Sequence, residues 1–136
     1  MPPDARDRFA SAQVARLATV DAAGQPHLVP MVFAVDADII YSAVDAKPKR
    51  STALRRLANV AANPRVSVLV DHYDDDWSSL WWVRADGTAR VLPVDDPEAR
   101  RAIALLVARF TQYTKNPPHG PVLAVDVARW TAWSAS

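Results

Sequence analysis

The 136-residue chain has no cysteine and only three glycines. Without cysteine there is no disulfide, no zinc–thiolate centre and no thiol nucleophile. Glycines only at 24, 87 and 120 exclude a P-loop and a dinucleotide-binding fingerprint, since both cluster glycines against a phosphate. No apolar run approaches the roughly 20 residues that span a bilayer as a helix. The opening stretch Met1 to Ser11 is polar and lacks the apolar centre of a signal peptide, so the expected compartment is the cytoplasm. Excess charge is missing too: the net charge is +1, and nothing in it calls for nucleic acid or an anionic membrane. Any anion site must be local. Three histidines and no Gly-x-Ser-x-Gly elbow give nucleophilic catalysis no candidate, and no catalytic residue is assigned.

What is present suits one globular domain spanning residues 1–136, with 50% hydrophobic and 23% charged residues. Pro3 to Ala12 reads as a short helix anchored by Phe9. Ala15 to Val20 reads as a strand, and Asp21 to Pro26 as a turn. His27 to Val35 is β-prone, but Pro30 cannot donate to a ladder and demotes it from a regular central strand. A tight connection at Asp36–Asp38 leads back through a strand at Ile39 to Val44.

A basic loop, Asp45 to Arg50, precedes a helix that Ser51 or Thr52 can cap and that runs to Ala62, with Leu54, Leu57, Ala58 and Ala61 on one face. Arg65 to Val70 alternates as a strand with Val66, Val68 and Val70 on one side. An acidic loop follows, Asp71 to Ser79. Leu80 to Leu92 is a long β segment, in which Asp86-Gly87 marks either a hairpin turn or a bulge. Asp95, Pro97 and Glu98 start a helix with Asp95 as its cap, carrying Ile103, Leu106, Val107 and Phe110. Thr114 to Pro121 is a loop, and Val122 to Trp133 a last strand. Short, hairpin-linked strands with few helices predict a mainly β protein, a small antiparallel barrel with helices at its ends.

Several groups can carry chemistry. Lys47, Lys49, Arg50, Arg55 and Arg56 flank a helix start, where backbone N–H groups, the helix dipole and charge-assisted bonds favour a phosphate. A solvated basic face explains them equally well. Tyr41 and Ser42 offer hydroxyls to the same phosphate, or else are core residues of a strand. The interrupted run Leu28 to Met31 leaves backbone groups that a planar ring can pair with, unless it is an edge strand. Trp81 and Trp82 face opposite sides of their strand, so one needs a partner surface, a dimer interface or a ring-shaped ligand. Asp71 to Asp76 with His72 lacks the glycine and distal glutamate of a calcium loop; it reads as a polar loop, and no metal is expected.

Seven blocks carry a resemblance over nearly the whole chain: Ala15 to Val20, Gly24 to Pro30, Lys47 to Arg50, Leu54 to Asn59, Asn63 to Ser67, Asp71 to Trp77 and Trp81 to Gly87. They resemble the pyridoxamine-phosphate-oxidase-like split-barrel superfamily. More narrowly, they resemble its small actinobacterial branch of oxidoreductases dependent on the deazaflavin coenzyme F420.

The resemblance implies a split β-barrel homodimer with two cofactor sites at the subunit interface. It implies that His27, Leu28, Val29, Pro30 and Met31 run along the ring. Tyr41 and Ser42 then lie near the ribityl-phosphate, Arg56 (eight positions before Pro64) on the phosphate, and Trp82 close to the ring. Lys47, Lys49 and Arg50 fit the same electrostatic role without a one-to-one match. Hydride transfer to a small unsaturated substrate follows, with Tyr41 or His27 as a proton donor. Flavin mononucleotide (FMN) in place of F420, a non-catalytic cofactor binder and a purely structural dimerising domain are the alternatives. The loop after Val44 is longer than in FMN enzymes, and the C-terminal residues that bind vitamin B6 have no match, so B6 oxidation is not implied.

Overall fold

The computed structural model describes residues 4–44 and 51–136. Its elements run α1 (Asp4–Ser11), β1 (Val14–Val20), β2 (Pro26–Val32), β3 (Ala34–Asp36), β4 (Ile39–Ala43) and α2 (Ser51–Ala62). There follow β5 (Arg65–His72), a 3-10 turn (Trp77–Ser79), β6 (Trp81–Leu92), α3 (Pro97–Arg109), α4 (Thr111–Lys115) and β7 (Val122–Ser134). The strands form one antiparallel seven-stranded sheet in the order β2-β1-β5-β6-β7-β4-β3. It curls into a split half-barrel, with β2 and β3, consecutive in the chain, at its two edges. Ser42 of β4 crosses the split, donating from Oγ to the Val32 carbonyl at 2.9 Å.

Period-two alternation fills the interior. Ala15 and Leu17 of β1, Val66, Val68 and Val70 of β5, and Val83 and Ala85 of β6 are buried in one cluster with Phe9 of α1 and Val60 of α2. Phe9 is fully buried and lies 5.1 Å from the rings of both Phe33 and Trp130. A second apolar layer lies on the other side of the sheet, where α3 covers Tyr41, Leu92, Val122 and Ala124.

The structure refines several sequence expectations. The cap of α3 is Asp96, not Asp95: its carboxylate accepts from the Glu98 amide at 2.7 Å, with Pro97 in the first turn. Among the described side chains of α2 the buried ones are Asn59 and Val60, while Ala58 and Ala61 face solvent, because the helix packs by a face rotated from the alanine stripe. α4 occupies part of the expected loop. Pro30 sits in an edge strand, where its missing N–H costs no ladder bond on the open side. Asp86-Gly87 is a bulge within one strand, not a hairpin.

At that bulge Asp86 pairs with Arg129 and Gly87 with Val127, leaving Ala128 as the extra residue on β7. A Cβ on Gly87 would stand 2.1 Å from the Asp126 carbonyl oxygen and 3.0 Å from Val127 Cα. Both contacts are backbone and cannot swing away. Gly87→Ala is expected to destabilise the fold by about 2 kcal/mol or more, measured by urea unfolding, because the strand pair must separate to admit the methyl group.

Candidate functional site

Strand register sorts the predicted residues onto two faces. On β2, His27, Val29 and Met31 stand opposite Thr19, Leu17 and Ala15 and point inward. Leu28 and Pro30 stand opposite Ala18 and Arg16 and point outward. The outward face of β1, β5 and the first half of β6 is not covered by any described helix. Arg16, Ala18, Leu28, Ser67, Leu69, Asp71, Tyr73, Trp82 and Arg84 line an open groove there of about 600 Å³. Leu28 is 67% exposed and Tyr73 66%. The Arg84 guanidinium lies 5.8 Å from the Trp82 ring and donates to Asp86, which also accepts from the Ser67 hydroxyl at 2.6 Å. Trp81 turns the other way, onto the core, under Arg8 and against His72.

The inner rim holds a line of polar side chains. Asn59 of α2 donates to the Thr19 hydroxyl at 3.1 Å, and both are nearly fully buried. Arg56 lies one turn earlier on α2, and His27 stands directly across from Thr19. At the two ends of this line, Arg56 Nε and His27 Nδ1 are buried with no hydrogen-bond partner. Burial lowers the pKa of Arg56, though a guanidinium stays charged near neutral pH. Buried polar atoms are rarely left unpaired, and a cationic N–H without an acceptor suits an anionic group at the rim. The donor chemistry here therefore fits a phosphate-bearing cofactor.

The remaining predicted residues separate. Tyr41 and Ser42 are buried and engaged internally: the Tyr41 hydroxyl donates to Glu98 at 2.7 Å, and Ser42 bridges the split. Desolvation first, then the Glu98 carboxylate, pushes the Tyr41 pKa up to about 12, which makes it a poor proton donor. Arg55 is exposed. Lys47, Lys49 and Arg50 lie outside the described residues. In the acidic loop, Asp74 accepts from Ser79 and pairs with His72, and Asp76 accepts from Ser78. These bonds, Ser79 and Ser78 foremost, hold both carboxyls below the usual range. Among the described residues no three His, Asp or Glu side chains converge as a metal cluster.

A model of the pyridoxamine 5'-phosphate oxidase family matches residues 1–134. The chain belongs to that family. Over 86 residues it is 36% identical to a 5a,11a-dehydrotetracycline/5a,11a-dehydrooxytetracycline reductase of Streptomyces rimosus; this match covers 62% of the chain and 59% of that relative. Among solved structures, a conserved hypothetical protein of Mycobacterium tuberculosis superposes with a TM-score of 0.77 at 25% identity, covering 99% of this chain and 85% of the other. An FAD-binding protein of Mesorhizobium loti superposes at 0.74 and 21% identity, covering 97% and 93%. The second likeness is one of fold alone.

Sequence reasoning for this oxidase-family chain missed three things. The groove residues Arg16, Leu69, Tyr73 and Arg84 were signalled only by Leu69, an apolar residue on the outward side of β5. Thr19 and Asn59 looked like an ordinary strand residue and a helix residue. The network on Glu98 joins β4, β6, β7 and α3, a non-local arrangement with no local signature. There Arg90 donates to both Glu98 oxygens at 3.0 Å and to Asp126 at 2.6 and 3.0 Å.

Arg90 first, then Tyr41, holds the Glu98 carboxyl down at about 2, against an ordinary 4.5. Its contribution is therefore complete above pH 4.5 and lost as pH falls from there toward 2. Glu98→Gln is expected to lose about 1–2 kcal/mol at pH 7, with a flatter stability profile between pH 4.5 and 2, read by chemical unfolding at pH 7 and pH 3.

Proposed function

We propose that the chain is a homodimeric oxidoreductase that binds a phosphate-bearing flavin-type cofactor, coenzyme F420 ahead of FMN, and reduces a small unsaturated molecule. The observation that carries this reading is that two of the three buried side-chain atoms without a hydrogen-bond partner among the described residues, Arg56 Nε and His27 Nδ1 (the third is Thr131 Oγ1), stand at the ends of one polar line. Family membership and the reductase name of the Streptomyces rimosus relative support it. Its narrower part, F420, rests on the sequence blocks Asp71 to Trp77 and Trp81 to Gly87.

A reduced deazaflavin or flavin, when bound, supplies a hydride, so no side chain has to act as a nucleophile. Arg56, half-buried on α2, holds the phosphate by charge-assisted bonds. The open edge of β2, from His27 to Met31, offers backbone donors and acceptors to the ring. Leu28, Leu69, Tyr73 and Trp82 give the groove apolar walls that shed water once it is covered. A second copy of the chain closes the groove, since two sheet edges and this apolar face are otherwise left to solvent.

Fluorescence titration with F420 and, separately, with FMN tests the reading. One of them is expected to bind, Arg56→Ala to weaken it about 10- to 100-fold, and Arg55→Ala to change it less than about threefold. Failure of both cofactors to bind overturns the proposal. Yellow protein on purification, releasing flavin on denaturation, places FMN ahead of F420. Light scattering at micromolar concentration is expected to return twice the 14.9 kDa chain mass; a monomer mass overturns the closed groove.

A further inference from the structure

We infer that the buried Asn59–Thr19 pair is a positioning device that fixes the span between Arg56 and the β2 edge, and thereby the reach between the phosphate end and the ring end of the cofactor site. This rests on the cofactor reading above. Asn59 and Thr19 touch neither end themselves; they act through the residues beside them.

Three observations carry it. Among the described residues, Asn59 Nδ2 to Thr19 Oγ1 is the only side-chain hydrogen bond from α2 to the sheet. Leu57 and Val60, the described α2 side chains that pack in the core cluster, are apolar. Apolar contact is non-directional and leaves a helix free to slide or turn by an ångström, whereas a hydrogen bond loses strength steeply with distance and angle.

The pair also sits between the two groups that need registration. Arg56 precedes Asn59 by three residues, about 4.5 Å along the same helical face. His27 stands opposite Thr19 in the β1–β2 ladder. The bonded pair is the middle of the line, and the two unpartnered atoms are its ends.

Stability alone does not account for it. Asn59 is 4% exposed and Thr19 2%, at the margin of an apolar core. An apolar pair of the same shape would hold the helix about as well, since replacing both partners of a buried hydrogen bond by apolar groups is close to neutral. What the polar pair adds is one defined geometry.

The test measures cofactor dissociation constants by fluorescence for F420 and FMN, with thermal unfolding alongside. Wild type is compared with Thr19→Val, which keeps the shape and removes the hydroxyl, and Thr19→Ser, which keeps the hydroxyl. Both substitutions are repeated in an Arg56→Ala background, and Asn59→Leu serves as the second variant if Thr19→Val does not fold. Thr19→Val is expected to weaken the cofactor that wild type binds by about tenfold, and Thr19→Ser to stay within about threefold of wild type. With Arg56 gone, the span no longer matters, and Thr19→Val is expected to have no further effect.

Equal weakening in both backgrounds, or no weakening by Thr19→Val or Asn59→Leu while Arg56→Ala still weakens binding, overturns the positioning role and leaves the cofactor reading standing. Loss of affinity that Thr19→Ser does not rescue also overturns it. Absence of cofactor binding in wild type overturns both.

Discussion

One backbone contact sets the parity of the longest strand pair. Gly87 lies so close to the Asp126 carbonyl that no side chain fits between them, and Ala128 is squeezed out of the ladder. Before Ala128, the odd-numbered Leu123, Val125 and Val127 face the barrel interior. After it the even-numbered Trp130 does. Without the extra residue Trp130 would turn outward, and Phe9 would lose its edge-on partner. The Trp130 indole also donates to Asp38, which Arg6 of α1 contacts as well, so the bulge fixes how α1 closes the barrel end. On the outer face the same shift sets Trp133 beside Trp82 and Thr131 beside Arg84. The outward surface next to Trp82 and Arg84 is thus a consequence of a glycine that does not line the groove.

The sheet divides its outer face between two uses. Near β4 and the last part of β6 that face is sealed by α3 and locked by Arg90, Glu98, Asp126 and Tyr41. Near β1, β5 and the start of β6 it is left bare, with Leu28, Tyr73 and Trp82 in the open. A lone exposed leucine on a surface needs no account, but a groove of such residues on a curled sheet does. The Ser67–Asp86–Arg84 set holds the Arg84 stem beside Trp82, so the bare region is shaped before anything covers it.

Much of this was legible in the sequence because the signals were local. Alternation at Val66, Val68 and Val70 gave the inner face of β5, Pro97 gave the start of α3, and the single glycine in a long β run gave the bend. The family blocks gave the split barrel. What local patterns hid were matters of helix rotation and long-range partnership. Ala58 and Ala61 made the wrong stripe on α2, since a small apolar residue costs little on either face, while Asn59 was buried by its bond to a residue forty positions away. Tyr41 read either as a ligand hydroxyl or as a core residue of its strand; it is buried, and nothing near it in sequence announces its partner Glu98, fifty-seven positions on. Charge alone did not separate Arg55 from Arg56; the resemblance singled out Arg56, and the helix phase leaves Arg55 exposed and Arg56 half-buried.

Three half-buried arginines make the strongest case about the site, because the fold treats each differently. Arg90 lies among carboxylates, chiefly Glu98 and then Asp126, which raise its pKa. Arg109 is desolvated, but it donates to the carbonyls of Phe33 and Ala12 and lies about 5 Å from the rings of Phe33 and Phe110. It pins the end of α3 to the α1–β1 junction. Arg56 is desolvated as well, yet its buried Nε makes no hydrogen bond among the described residues. A chain that pairs two such cations so fully has the means to pair the third, and the cost of leaving a buried cationic donor unmatched is among the larger single penalties a fold can carry. Under the proposed function the asymmetry follows, because the acceptor for Arg56 Nε comes with the ligand: the two paired arginines hold the protein together, and the third is kept for the cofactor.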